Sequence, residues 1–250
     1  ASFNSGVSFK LLSGNKGMFN SDQLKHAINP KNFYHSPLTK LVSLENTTNK
    51  GGGYCWDIKH FEEIKKICDE NELGLHMDGA RVWNSIVAQD DNPKLYGDYF
   101  DTISVCLSKG LGCPIGSLLV GRKKFIDKAL RVRKIFGGGM RQAGYLAAAG
   151  LYALENNLQR LSVDHQRAEE IASGFSSKDY IKSVNDIETN IIILELDDSI
   201  EIATISLAPY LCNIDSDVSV TSLEYIRYTM GDIRRLEQRI SNLEYYTALS

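Results

Sequence analysis

Three short apolar segments, each bounded by glycine or a charge, constrain this chain more than any other feature. "KLVSLEN" (residues 40–46), "LGLHMDGA" (73–80) and "FDTISVCLS" (100–108) each read as a compact strand. Between the first two, "WDIKHFEEIKKICDENE" (56–72) places Ile58, Phe61, Ile64 and Cys68 on one helical face. Strands that alternate with helices build a sheet covered by helices. "GSLLVGR" (116–122) adds a fourth strand, so a mixed or mostly parallel sheet in an α/β fold is expected.

From Lys123 the pattern turns helical through "KKFIDKALRVRKIF", breaks at Gly137, Gly138 and Gly139, and resumes as "MRQAGYLAAAGLYALENNLQRL". The small residues of "AGYLAAAG" allow close approach of another helix or a second subunit. Beyond about residue 155 the chain becomes more charged, with strands expected in "TNIIILEL" (189–196) and "EYIRYTMG" (224–231). The expected organisation is a large domain over residues 1–150 and a smaller α+β domain over 151–250, with a cleft between the lobes.

Composition narrows the partners. The 250 residues are 43% hydrophobic and 24% charged, with a formal charge of -3, and the basic residues are scattered apart from Arg131, Arg133 and Lys134. Such a chain has no bulk attraction to nucleic acid or to an anionic membrane, which leaves a small-molecule partner. The five cysteines have neither zinc-site spacing nor the density of a disulfide scaffold, so reduced, mostly buried thiols are expected. With no membrane-length apolar run and no signal-type opening, the expected location is the cytoplasm.

The stretch "SVCLSKGLGCPIGSLLVG" (104–121) carries a strand into Lys109 and surrounds it with Gly110, Gly112 and Gly116. Open α/β sheets bind ligands at the C-terminal ends of their strands. Partial burial of an amine favours its neutral form, a nucleophile toward an aldehyde, and the glycines leave room for something flat. Taken alone, such a lysine reads more readily as one that escapes to solvent at a strand end. "LHMDGAR" (75–81) shifts the balance, because it ends a neighbouring strand in Asp78, followed by Arg81. An acid there can pair with the protonated ring nitrogen of a bound heterocycle, as pyridoxal phosphate requires. Taken alone, "DG" is a common turn and Arg81 a surface cation. A metal site at His76 and Asp78 lacks further ligands at suitable spacing, so no metal is expected.

Together, "LENTTNKGGG" (44–53), "LHMDGARVWN" (75–84), "SVCLSKGLGCPIGSLLVG" and "GGGMRQAGYLAAAGLYALE" (137–155) resemble the low-specificity threonine aldolases. These belong to the β-eliminating lyase and threonine aldolase group of fold-type I pyridoxal-phosphate enzymes, which share the aspartate aminotransferase fold. The resemblance covers nearly all of residues 1–165 and returns at "YIRYTMGD". It implies that Lys109 carries pyridoxal 5'-phosphate as a Schiff base and that Asp78 pairs with the pyridine nitrogen. It further implies that Arg81 and Arg227 bind the substrate carboxylate through their forked donors. Arg141 corresponds to a residue that reaches the cofactor phosphate of a neighbouring subunit, with Lys134 close to the same region.

The implied reaction is retro-aldol cleavage of L-threonine or L-allo-threonine to glycine and acetaldehyde, in a homodimer or homotetramer. Another fold-type I lyase, an aminotransferase and a non-catalytic homologue or truncated product remain as alternatives. Thr48 stands where many members of the group have a histidine close to the substrate hydroxyl, and threonine is no comparable general base near neutral pH. The general base and the preference between threo and allo substrates therefore stay open. The group's N-terminal segment, with its phosphate-binding glycine loop and ring-stacking histidine, has no counterpart within residues 1–250. These residues are accordingly expected to be part of a longer protein, and a structure of them alone to have an incomplete site that can lack the cofactor.

Overall fold

A computed structural model describes residues 2–197. The chain opens with α1 (Ser2–Ser5) and α2 (Ser21–Ala27), the latter started by a reciprocal pair of bonds between Asn20 and Gln23. β1 (Leu41–Glu45), α3 (Ile58–Glu70), β2 (Gly74–Gly79), α4 (Val82–Gln89), α5 (Pro93–Tyr99) and β3 (Thr102–Cys106) then alternate strand and helix. β4 (Ser117–Gly121) follows, then α6 (Lys123–Ile135), α7 (Gly144–Asn156), α8 (Leu161–Ser176), β5 (Ile181–Val184) and β6 (Leu194–Leu196). The main sheet has the order β1-β2-β3-β4, parallel throughout except for antiparallel β4, while β5 and β6 form a separate antiparallel pair.

The two faces of this sheet differ in chemistry because successive side chains point to opposite sides. Val42, Leu44, Leu75, Met77, Ile103 and Val105 lie on one face and are buried against Phe61, Ile64, Ile67 and Cys68 of α3 and against Val82, Ile86, Tyr96 and Phe100. The other face carries Ser43, Glu45, His76, Asp78, Thr102 and Ser104, all exposed or half-buried. Parallel strands are generally covered on both sides. Here the uncovered face of β1–β3 is mostly polar, with Leu41 and, on β4, Leu119 as exposed apolar side chains, so its exposure costs little.

α3 is amphipathic as the sequence predicts. Its first turn is capped by Asp57, whose side chain accepts a hydrogen bond from the Lys59 N–H at 2.8 Å. Phe61 sits at the centre of an aromatic cluster, with ring centroids 5.1 Å from Phe100, 5.6 Å from Tyr96 and 6.2 Å from Trp56.

Two expectations need correction. The apolar run 189–196 forms a strand only at its end, β6, because its first half packs into a loop: Ile191 is fully buried and the Thr189 hydroxyl donates to the Gly53 carbonyl at 2.6 Å. The helix after the glycines resumes at Gly144 rather than Met140, after positive φ angles of 81° at Gly137 and 52° at Gln142. The strand expected at 224–231 lies outside the described residues. No described helix is long and apolar enough to cross a membrane.

Replacing Phe61 with alanine removes the centre of the aromatic cluster and is expected to cost about 3–5 kcal/mol of stability. Urea denaturation should show this as a lowered midpoint, while Glu62→Ala on the exposed side of α3 leaves the midpoint in place.

Candidate active site

The C-terminal ends of β2 and β3 lie side by side, since Asp78 is in register with Ser104. Asp78 is exposed on the polar face. Its Oδ1 accepts hydrogen bonds from the Ala80 N–H at 3.1 Å and the Ser104 hydroxyl at 3.4 Å. Its second oxygen has no hydrogen bond among the described residues. His76, two residues earlier on the same face, lies 2.9 Å from the Thr102 hydroxyl through Nδ1. Burial pushes its imidazole below the ordinary value, against the opposing effects of the Thr102 contact and the Asp78 charge.

Lys109 is half-buried in the loop that leaves β3. The Gly112 N–H donates to the Lys109 carbonyl at 2.7 Å and closes a tight turn, which Gly112 enters with a φ of 73°. On either side of the lysine, Leu107 and Leu111 are buried in a second apolar cluster with Cys113, Ala153 and Leu161. Gly110 is required by this packing, because a Cβ there would lie 2.6 Å from Leu161 Cδ2.

The "ENTTN" loop leaves β1 beside Asp78, where the Asn46 N–H donates to the Asp78 carbonyl at 2.9 Å. Thr48 is 2% exposed, and three side-chain oxygens of this loop differ from most buried polar groups: the hydroxyls Thr47 Oγ1 and Thr48 Oγ1 and the amide oxygen Asn49 Oδ1 have no hydrogen bond among the described residues. A later segment holds the loop, through Asn185 Nδ2 to the Gly52 carbonyl at 3.1 Å and the Cys55 N–H to Glu188 at 2.8 Å.

Arg81 is buried at 6% exposure at the start of α4, three residues after Asp78. Lys134 at the end of α6 and Arg141 before α7 are exposed, and among the described residues neither side chain makes a hydrogen bond or ion pair. Arg227 lies outside the described residues.

Five polar residues that sequence reasoning did not single out form a network behind the lysine loop. Asn157 Nδ2 donates to the Leu111 carbonyl at 2.8 Å, and Arg160 Nη2 donates to the Gly110 carbonyl at 3.4 Å. Arg160 Nη1 is 3.7 Å from Asp164, whose side chain is 1% exposed. Asn84 of α4 and His165 of α8 meet at 3.2 Å between Nδ2 and Nε2. All lie far from Lys109 in sequence or on another element, and no local pattern in the sequence singles them out.

The sheet thus brings an acid at the end of β2 and a glycine-flanked amine in the loop after the adjacent β3 to the same edge, where open α/β sheets generally bind ligands. Residues 1–199 match the family model described as β-eliminating lyase, and the chain belongs to that family, whose members generally use pyridoxal phosphate. It is 40% identical over 184 residues to low-specificity L-threonine aldolase 1 of Arabidopsis thaliana, an overlap covering 73% of this chain and 51% of that protein. It is 48% identical over 147 residues to the low specificity L-threonine aldolase of Escherichia coli K12, covering 59% of this chain and 43% of the relative. The chain thus spans about half the length of the curated relatives it matches. Among solved structures, the threonine aldolase of Leishmania major superposes with a TM-score of 0.64 at 17% identity, over 92% of this chain and 68% of that one. That likeness shows the fold, which is the α/β fold the sequence leads one to expect.

Burial pushes the His165 imidazole down to about 4 from an ordinary 6.5. A histidine kept neutral in the fold while the unfolded chain takes up a proton lowers stability as pH falls. Above 6.5 both states are neutral and nothing is lost; the loss develops between 6.5 and about 4 and is complete below that. His165→Gln, which keeps an acceptor for Asn84, should therefore lose less stability than the parent across this window. Urea midpoints followed against pH test this, and parallel curves for the two proteins would contradict it.

Proposed function

We propose that the protein containing these residues is a pyridoxal-phosphate-dependent aldehyde-lyase that cleaves L-threonine and L-allo-threonine between Cα and Cβ, giving glycine and acetaldehyde. The observation that carries this reading is the arrangement of Asp78 at the end of β2 and Lys109 in the loop that leaves the adjacent β3, in a chain of the β-eliminating lyase family. The relatives named above, called low-specificity L-threonine aldolases, support the choice of substrate.

The donor set fits pyridoxal phosphate at its ring. It offers a primary amine for the aldehyde and a carboxylate, with one oxygen uncommitted, for the ring nitrogen. Bound there, pyridoxal phosphate supplies an electron sink for a bond broken at Cα. Lys109 would be the covalent anchor, and the Asp78 charge would favour a proton on the ring nitrogen. Arg81 and Arg227 take the substrate carboxylate, where a guanidinium provides two parallel donors. Thr48, buried with an unpartnered hydroxyl, is the residue for the β-hydroxyl of the substrate. It orients rather than deprotonates, since a threonine hydroxyl does not act as a base near neutral pH.

Arg141 and Lys134 are assigned to the cofactor phosphate of a neighbouring subunit, and their exposure suits that role. Assembly into a dimer or tetramer agrees with the apolar side chains that α6 and α7 leave uncovered, among them Ile135 at 74% and Tyr145 at 90% exposure. No nucleic acid or membrane partner enters this reading.

Full-length protein supplied with pyridoxal phosphate should release acetaldehyde and glycine in equal amounts from threonine. Lys109→Ala should abolish this release, and Asp78→Asn should lower kcat at least about 100-fold. Keto-acid formation from an amino-acid panel in place of acetaldehyde would assign the protein to a sister lyase or aminotransferase activity.

A further inference from the structure

The corner between α7 and α8 grips the loop that carries Lys109 in a way the reaction itself does not require. Asn157 and Arg160 bind the carbonyls of Leu111 and Gly110, the two residues that follow Lys109. Arg160 is in turn steered by the buried carboxylate of Asp164. At the next residue of α8, His165 meets Asn84, which is 3% exposed on α4, the helix that begins four residues after Asp78. Between these polar contacts, Leu161 fills the space above Gly110 and leaves no room for a Cβ. A continuous path of contacts therefore runs from the helix behind Asp78, through α8, to the peptide groups beside Lys109.

We propose that this corner is a positioning device: Asn157 and Arg160 fix the direction in which the Lys109 side chain leaves its loop, and the Asn84–His165 contact refers that direction to Asp78. The proposal rests on the reading that Lys109 and Asp78 hold one cofactor. A hydrogen bond to a carbonyl immediately after the lysine restrains rotation of the peptide groups that aim its side chain, and small errors in aim are costly. Misplacement of a reacting group by about 1 Å lowers a rate by about 100-fold. Asn157, Arg160, Asn84 and His165 touch neither substrate nor cofactor in this account. They act through Lys109.

The test uses full-length protein and two variants that introduce no unpaired buried charge, Asn157→Leu and Arg160→Lys, with Asn157→Gln as the conservative control. In cofactor-free protein, amide exchange over residues 109–113 should quicken in Asn157→Leu, because the Gly112 N–H to Lys109 bond loses its support. With pyridoxal phosphate added, borohydride reduction followed by peptide mass analysis reports capture at Lys109. Capture should slow by at least about tenfold in Asn157→Leu, less in Arg160→Lys, and recover in large part in Asn157→Gln. The kcat for threonine should fall in parallel while KM changes by less than about twofold, since the carboxylate-binding arginines are untouched. Parental exchange and capture rates in both variants would overturn the positioning role while leaving the functional reading in place. Failure of the parent protein to be captured at Lys109 would overturn the functional reading, and the positioning role with it. A fall in kcat without slower capture would also contradict the proposal, by placing the effect elsewhere than on the lysine.

Discussion

The parallel register between β2 and β3 is the constraint on which the rest of the molecule depends. It sets Asp78 opposite Ser104, so the acid and the loop that carries the lysine emerge from the same end of the sheet. A slip of one residue would turn Asp78 toward the helices and expose Met77. What prevents the slip is burial. Leu75, Met77, Ile103 and Val105 are packed beneath α3 and its neighbours, each contributing about 1.5–3 kcal/mol on leaving water. The hydrophobic effect on one face thereby decides the chemistry on the other.

Two apolar clusters divide the work. The larger one, centred on Phe61 and the covered sheet face, fixes the strands. The smaller one, built from Leu107, Leu111, Cys113, Ala153 and Leu161, anchors the lysine loop after the strand has ended. A loop without such an anchor would let an amine wander, and covalent chemistry needs a reacting atom in a narrow range of positions. Glycine is needed in this loop for two separate reasons, close packing at Gly110 and a left-handed backbone at Gly112.

Much of this was legible before any coordinates. The alternation of Val42 and Leu44, of Leu75 and Met77, and of Ile103 and Val105 marks strands with one buried face, and the structure has them within one or two residues of the expected bounds. Asp78 falls at the end of β2 as expected, whereas Lys109 lies three residues past the end of β3, in the loop rather than on the strand. The stretch 189–193 was not, because local preference for a strand lost to long-range packing of Ile191 and Thr189 against the loop around Gly53. α8 is hard to read as a separate helix because two of its five buried residues are alanine, Ala168 and Ala172, and a third is Asp164, which gives little contrast in a hydropathy pattern. The contacts of Asn157, Arg160 and His165 join residues that local spacing does not relate, so no window of sequence could reveal them.

The central claim is that Lys109 and Asp78 hold opposite sides of one pyridoxal phosphate ring. Diffraction from crystals of the full-length protein grown with pyridoxal phosphate tests it directly. The account predicts electron density continuous from Lys109 Nζ into the cofactor, with the ring nitrogen about 2.7–3.0 Å from a carboxylate oxygen of Asp78. A cofactor attached to another lysine, or a ring nitrogen facing away from Asp78, would contradict it.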